Sequence, residues 1–317
     1  MEGTKKQKKQ VSFMKNVLML MVAQVAIKIL GFVYRLVIIN IDGFGDTGNG
    51  YYSTGYQIYS LLLTLSSVGI PTVISKLVSE RVAIGDHKGA HRIFTTALKT
   101  FTTIGLVMSI GLFFGADFIA KNIINVEGVK YTLMVLAPAI MFVTAGAVLR
   151  GYFAGLGTMK PTSVTQTLEQ FLNCVLTILF VYATVGKDTA IMAAAGNLSS
   201  TIAIVIAFIY IIIFYKKQRP EILEDCKNQT VQMETKTTKQ ILKIIFAVSI
   251  PMTIGSLVAE LNGTIDTLTV SNCIQKAFQG IESGKVALEA KAMQLSGMVS
   301  KIETIIRLPL AINAAFC

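Results

Sequence analysis

Eight apolar stretches, at about 13–38, 51–79, 93–115, 131–150, 161–185, 189–215, 241–263 and 295–317, are each long enough to cross a bilayer, where a helix needs roughly 20 residues. Inside hydrocarbon every backbone N–H and C=O must be satisfied within the protein, so only helices and closed barrels span it. The alternation that marks a barrel strand does not appear. The expected fold is therefore an all-α polytopic membrane protein. Composition agrees: 53% of the 317 residues are hydrophobic and 15% charged, against about 25% charged in soluble domains.

A net charge of +11 would suit nucleic acid if it were spread over one surface. It is not. Lys5, Lys6, Lys8, Lys9 and Lys15, the run from Lys76 to Arg92, Arg150, Lys160 and the stretch from Lys216 to Lys243 all fall on one set of span ends. Lys and Arg gather in this way on the cytoplasmic side of membrane proteins, where they also meet anionic lipid. The expectation is a multi-pass plasma-membrane protein with a cytoplasmic N-terminus, the lipid bilayer as partner and no nucleic acid. A cleaved signal peptide fits poorly, because the first apolar run continues through Gly31 to Ile39 and Lys28 interrupts it. Cys174, Cys226, Cys273 and Cys317 make no CxxC or Cys/His spacing, so neither a metal site nor a disulfide framework is legible.

Residues 1–12 read as a basic N-terminus, 13–215 as a six-helix lobe and 216–240 as a polar cytoplasmic linker loop. Residues 241–317 read as the start of a second lobe, two helices joined by an external loop at 264–294, within which Val286 to Met293 has an amphipathic pattern. GIPT at 69–72 and RLPL at 307–310 form a short echo, each late in its span, as in transporters built from repeats. The last apolar run reaches Cys317 with no polar flank, and most of a second lobe is expected to be missing.

Polar residues within the spans keep to narrow faces, since residues three, four and seven apart lie together on a helix. An ionisable group in hydrocarbon costs at least ~2.5–3.5 kcal/mol, so such groups usually line a cavity. The first span carries Gln24, Lys28, Gly31 and Arg35 on one stripe. Arg35 is near the outer end, where snorkelling is the plain alternative; Lys28 is nearer the middle. In the second span Tyr56, Ser60, Thr64, Ser67, Pro71 and Ser75 share a face, with Gln57 at its margin. Close helix packing explains much of that stripe, and Pro71 should kink the helix.

The fifth span aligns Gln166, Gln170, Asn173 and Thr177, with Glu169 beside them. That is more amide and acid than packing requires. Glu260 shares a face with Ser256 and Gly263, while Asp266 lies on another face. Ser296, Ser300, Glu303 and Arg307 form the stripe of the eighth span, where Glu303 and Arg307 can neutralise each other.

The signs of these charges direct the chemistry. Lys28, Arg35 and Arg307 suit an anionic headgroup, and an arginine fork matches phosphate. The natural substrate is a lipid that carries a phosphate, its headgroup in a cavity lined by Gln24, Gln57, Gln166, Glu169, Gln170 and Asn173. Glu169, Glu260 and Asp266 are candidates to bind a coupling ion, Na⁺ or H⁺; no other cofactor is expected.

Extended segments carry a family resemblance: KILGFVYRLVI at 28–38, GYYSTGYQIYSLLLTLSSVGIPTVISKLVSERVAIGD at 50–86, LRGYFAGLGTMKPTSVTQTLEQ at 149–170, SIPMTIGSLVAELNGTIDTLTV at 249–270 and RLPLAI at 307–312. They resemble the multidrug/oligosaccharidyl-lipid/polysaccharide exporter superfamily, in its polysaccharide-flippase branch with the stage V sporulation protein B and lipid II flippase-like proteins. The resemblance implies two six-helix lobes around a cavity that opens alternately to either side. It implies export of undecaprenyl-pyrophosphate-linked oligosaccharide or peptidoglycan precursor, with Arg35, Arg307 and Lys28 at the pyrophosphate. It also places Glu80, Arg81 and Arg150 at a cytoplasmic gate and suggests cell-envelope synthesis enzymes as partners.

Other functions leave other marks. A cation-coupled multidrug exporter of the same fold wants an acidic, aromatic cavity, whereas this chain has no Trp and places cations in its spans. A membrane glycosyltransferase would use Asp42 and Asp46 for a metal or a catalytic base, yet IDGFGDTGNG reads equally as a Gly-rich solvated turn. His87 and His91 read as polar loop residues. No nucleophile–base pair or P-loop is present, so no enzyme is expected. A non-transporting scaffold of this fold is the remaining alternative.

Overall fold

Local chemistry sets most helix boundaries in this chain. The computed structural model describes residue 25 and residues 29–229, 237–282 and 284–313, with side chains placed through Ile306. Helix α1 covers Ile29–Ile39. The second span is two helices, α2 (Gly45–Ser67) and α3 (Ile70–Ala83). Gly69 makes the break at φ +81°, a backbone region that glycine alone enters without strain. Pro71 follows in the first turn of α3, where its missing N–H is no loss.

Helix α4 (His87–Phe118) is capped by Asp86, whose carboxylate accepts from the Gly89 N–H at 2.8 Å and from Arg81 Nη1 at 3.1 Å. A π-helical turn at Ile119–Ile124 ends it. Then come α5 (Val129–Gly155), α6 (Lys160–Ala183) and α7 (Thr189–Asn228), the last capped by Asp188. Helix α8 (Thr238–Phe278) opens with a capping box of Thr237 and Gln240, and α9 spans Lys285–Asn313.

Helix α5 is the hub: α2, α3, α4 and α7 pack around it, and most of its length is buried. Helix α6 pairs with α7, while α8 and α9 lean against α2 and each other. Among the described residues six helical segments are long and apolar enough to cross a membrane, five of them between α2 and α7 and the sixth α8. Helices α6 and α8 turn side chains such as Phe171, Leu179, Ile254 and Val258 outward, as lipid allows. The protein is a multi-pass, all-α membrane protein: a six-span lobe, with α8 and α9 beside it. Connections at 40–44, 125–128, 184–188 and 279–284 share one face, here the far face. Those at 84–86 and 156–159, with Gln229 and Thr237 at the ends of α7 and α8, lie on the opposite, basic face.

Several stretches read as loops from their polarity are helical. The 216–240 linker is helix through Asn228, because Ile222 and Cys226 bury themselves, Ile222 in a cluster with Ile93 and Phe94 of α4. The 264–294 loop shrinks to 279–284, since α8 propagates past the apolar stretch and α9 begins at Lys285. Extending an existing helix needs no new nucleus, so polar residues continue it readily. The Gly-rich turn already enters α2 at Gly45. His91 is not a loop residue: its ring lies on α4, 5.9 Å from Phe94 and 6.3 Å from Tyr152.

Candidate functional site

Helices α1, α2, α6, α8 and α9 enclose a cavity of about 420 Å³. Arg35 enters it from α1 and donates from Nη1 to Thr304 Oγ1 at 2.8 Å and from Nη2 to Ser300 Oγ at 3.1 Å. Both acceptors are neutral hydroxyls, and no described carboxylate pairs with this guanidinium. The wall continues with Phe32, Tyr34, Tyr52 and Tyr56, where the Tyr34 and Tyr52 hydroxyls meet at 3.2 Å. Asp266 and Glu303 complete it on the α8 and α9 side. Gln57, also in the wall, donates to Glu260 Oε2 at 3.3 Å, and Ser60 donates to the same oxygen at 3.2 Å.

A second cavity of about 240 Å³ lies within the six-span lobe. Arg150, Gln166, Glu169 and Tyr59 face it, and it shares Tyr56, Gln170 and Asn173 with the first. Asn173 also holds the lobe together. Its Oδ1 accepts from Thr177 at 3.1 Å, Ser199 at 3.0 Å and Ser200 at 2.9 Å, tying α6 to α7.

At the far face α9 closes on α2. A Cβ on Gly50 would strike the Met293 backbone carbonyl, and one on Gly297 would strike that of Asp46. Asn49 Nδ2 donates to the Gly297 carbonyl at 2.8 Å, and Lys301 pairs with Asp46 at 2.8 Å. Above them Lys285 Nζ lies 2.7 Å from Glu127, the Glu127 N–H donates to Glu289 at 3.0 Å, and Asn125 Nδ2 donates to Asn272 Oδ1 at 2.6 Å. The hydrogen bond from Lys285 holds the Glu127 carboxyl below its usual range and the Lys285 ammonium above its own. Burial pushes the Glu289 carboxyl up.

The fold gathers Arg35, Gln57, Gln170, Asn173 and Asp266 at the first cavity, and Gln166 and Glu169 at the second. Glu260 reaches the first only through Gln57. Arg150, near the end of α5, faces the second cavity. Glu80 is exposed on α3, and Arg81 pairs with Asp86 beside it. Gln24 and Lys28 lie outside the described residues, as does the side chain of Arg307. Tyr34, Tyr52, Thr304 and Lys301 escaped the sequence reading. Each acts across helices, and a stripe within one span carries no signal for that. Among the described residues no group of three His, Cys, Asp or Glu could hold a metal ion.

The sequence pattern of the polysaccharide biosynthesis protein family matches residues 13–301. Stage V sporulation protein B of Bacillus subtilis (strain 168) is 28% identical over 305 residues, covering 94% of this chain and 55% of that protein. Lipid II flippase MurJ of the same organism is 23% identical over 300 residues, covering 91% and 53%. The chain thus spans about half the length of these curated relatives. A crystal structure of MATE in the straight conformation superposes with a TM-score of 0.65 at 16% identity, over 97% of this chain and 70% of that one. That likeness is one of fold.

Proposed function

Because the chain belongs to the polysaccharide biosynthesis protein family, in the polysaccharide-flippase branch of its exporter superfamily, we propose that it moves a lipid-linked saccharide across the plasma membrane. The headgroup occupies the first cavity, the tail stays in the bilayer, and the lobes alternate access. Arg35 carries this reading: a cation in a membrane-embedded cavity, answered among the described residues only by hydroxyls that can yield to phosphate oxygens. A pyrophosphate on an undecaprenyl carrier fits that demand, with Lys28 and Arg307 as further contacts. The basic face is cytoplasmic by its Lys and Arg, so with the far face closed the cavity loads from the cytoplasm, where envelope-synthesis enzymes would supply substrate. Glu260 or Asp266 of α8, or Glu169 of α6, binds a driving Na⁺ or proton, and Glu80 and Arg81 meet the second lobe when the basic face shuts.

The test is reconstitution of the protein in liposomes with a fluorescent undecaprenyl-pyrophosphate sugar. The label should cross leaflets faster than in protein-free vesicles. Arg35→Ala should abolish crossing, and Arg35→Lys should retain part of it, since an ammonium keeps the charge but loses the fork. A full rate in Arg35→Ala would overturn the assignment.

One observation favours a second reading, a cation-coupled drug exporter. Four aromatic rings and the acids Asp266 and Glu303 line the same cavity, an environment that holds organic cations. In that case ethidium efflux would depend on Asp266 and be indifferent to Arg35→Ala.

A further inference from the structure

The second cavity lies inside the six-span lobe, off the path proposed for the carried headgroup. Its 240 Å³ has room for about eight waters at their share of liquid volume. Two groups of opposite charge look into it. Arg150 on α5 and Glu169 on α6 make no hydrogen bond or ion pair with each other or with any described residue, although each lies in the other's field. The hydroxyl of Tyr59 lines the same space. That side chain is 1% exposed, and its oxygen has no hydrogen-bond partner among the described residues. Buried polar groups are ordinarily paired, and buried charges almost always are.

Opposite charges that share a chamber without touching discriminate sharply between ligands. A simple anion on Arg150 would face the Glu169 carboxylate, and a simple cation on Glu169 would face the guanidinium. A group that bears both charges satisfies both. We propose that this chamber binds a small zwitterion, an ammonium–carboxylate group of the amino-acid type. Its carboxylate sits on the Arg150 fork with the Tyr59 hydroxyl donating to it, and its ammonium sits on Glu169. Tyr56, Gln170 and Asn173 form a common wall with the first cavity. The zwitterion therefore has two sources: a free amino acid, or an amino acid joined to the carried saccharide through its side chain. Binding itself goes beyond the flippase reading and does not depend on it.

Equilibrium binding to the protein in nanodiscs tests the site, with radiolabelled alanine as probe and propionate and ethylamine as its single-charge halves. Alanine should bind saturably, at least tenfold more tightly than either half. Arg150→Gln alone should shift preference to ethylamine, and Glu169→Gln alone to propionate. The double variant keeps the chamber polar and neutral, so it should fold and lose alanine binding. Tyr59→Phe should weaken alanine severalfold. No saturable alanine binding by the unmodified protein, or binding that survives the double variant, overturns the proposal. Flipping of fluorescent carriers with and without a serine joined through its side-chain oxygen, which keeps its ammonium and carboxylate free, then separates the sources. Slowing of the substituted carrier alone in Arg150→Gln with Tyr59→Phe, which leaves the ion candidate Glu169 intact, assigns the site to the substrate. Unchanged flipping of both, with alanine binding lost, assigns it to a free solute. If nothing flips while alanine still binds, the flippase reading fails and the site stands.

Discussion

The ammonium of Lys301 on α9 lies 2.8 Å from the carboxylate of Asp46 on α2, across 255 positions of sequence. The pair ties α9 to α2 at the far face, close to the wall that Ser300 and Thr304 give the first cavity. It is partly exposed, at 38% and 21%, so its worth is no more than about 1 kcal/mol. Asp46→Asn should therefore raise the open fraction only a few-fold. The readout is labelling of a cysteine at Ser300 by an impermeant maleimide added from the far face, in a Cys273→Ser background. The exchanged pair Asp46→Lys with Lys301→Asp should restore the original labelling rate.

Steric contact closes the same face more firmly than charge does. Gly297 approaches the backbone of Asp46, and Gly50 that of Met293, too closely for any Cβ. Gly297→Ala should drive α9 from α2, with an overpacking cost of about 1–3 kcal/mol. Spin labels at Asn122 and Val286, both exposed, should report a longer and broader distance in the variant. An unchanged distance would mean the helices absorb the methyl by sliding.

Asn173 joins α6 to α7 through one oxygen that accepts three hydroxyl donors. Asn173→Ala should destabilise the protein by about 1–3 kcal/mol, because the donors lose their buried acceptor. Asn173→Asp keeps that acceptor and should cost less. Thermal unfolding followed by a thiol-reactive dye suits the question, since Cys174 and Cys226 are buried until the lobe opens.

The far-face cluster also fixes a pH response. Lys285 depresses the Glu127 carboxyl, with Lys121 and Lys130 adding to its field. A depressed acid stabilises the closed form above its ordinary value near 4.3 and loses that contribution as pH falls through its lower, folded value. Glu289 is raised by burial, so its effect has the opposite sign and grows as pH falls. The distance between labels at Asn122 and Val286 should hold steady from pH 8 to about 5 and lengthen below about 4. Glu127→Gln should remove that acid step.

Much of the site was legible where one helix supplies it. Gln166, Glu169, Gln170 and Asn173 stand at helical spacing, and two cavities indeed meet along that stripe. Arg35 was legible as a cation in an apolar run. Arg150 was legible only as a cation near a helix end; that it turns into the second cavity follows from the packing of α2, α3, α4 and α7 on α5. The helical run to Asn228 was hidden because polar composition hides the two residues, Ile222 and Cys226, that bury it.

By itself the sequence determined that this protein is helical and spans a membrane. Hydrocarbon requires each segment to satisfy its own backbone, and that requirement is local. Tertiary structure alone decided that Gly50 meets Met293, that Lys301 finds Asp46, and that Arg150 and Glu169 face one chamber without touching. Those relations depend on which helix faces meet, and in lipid that choice rests on close steric fit between distant residues rather than on hydrophobicity that every span shares.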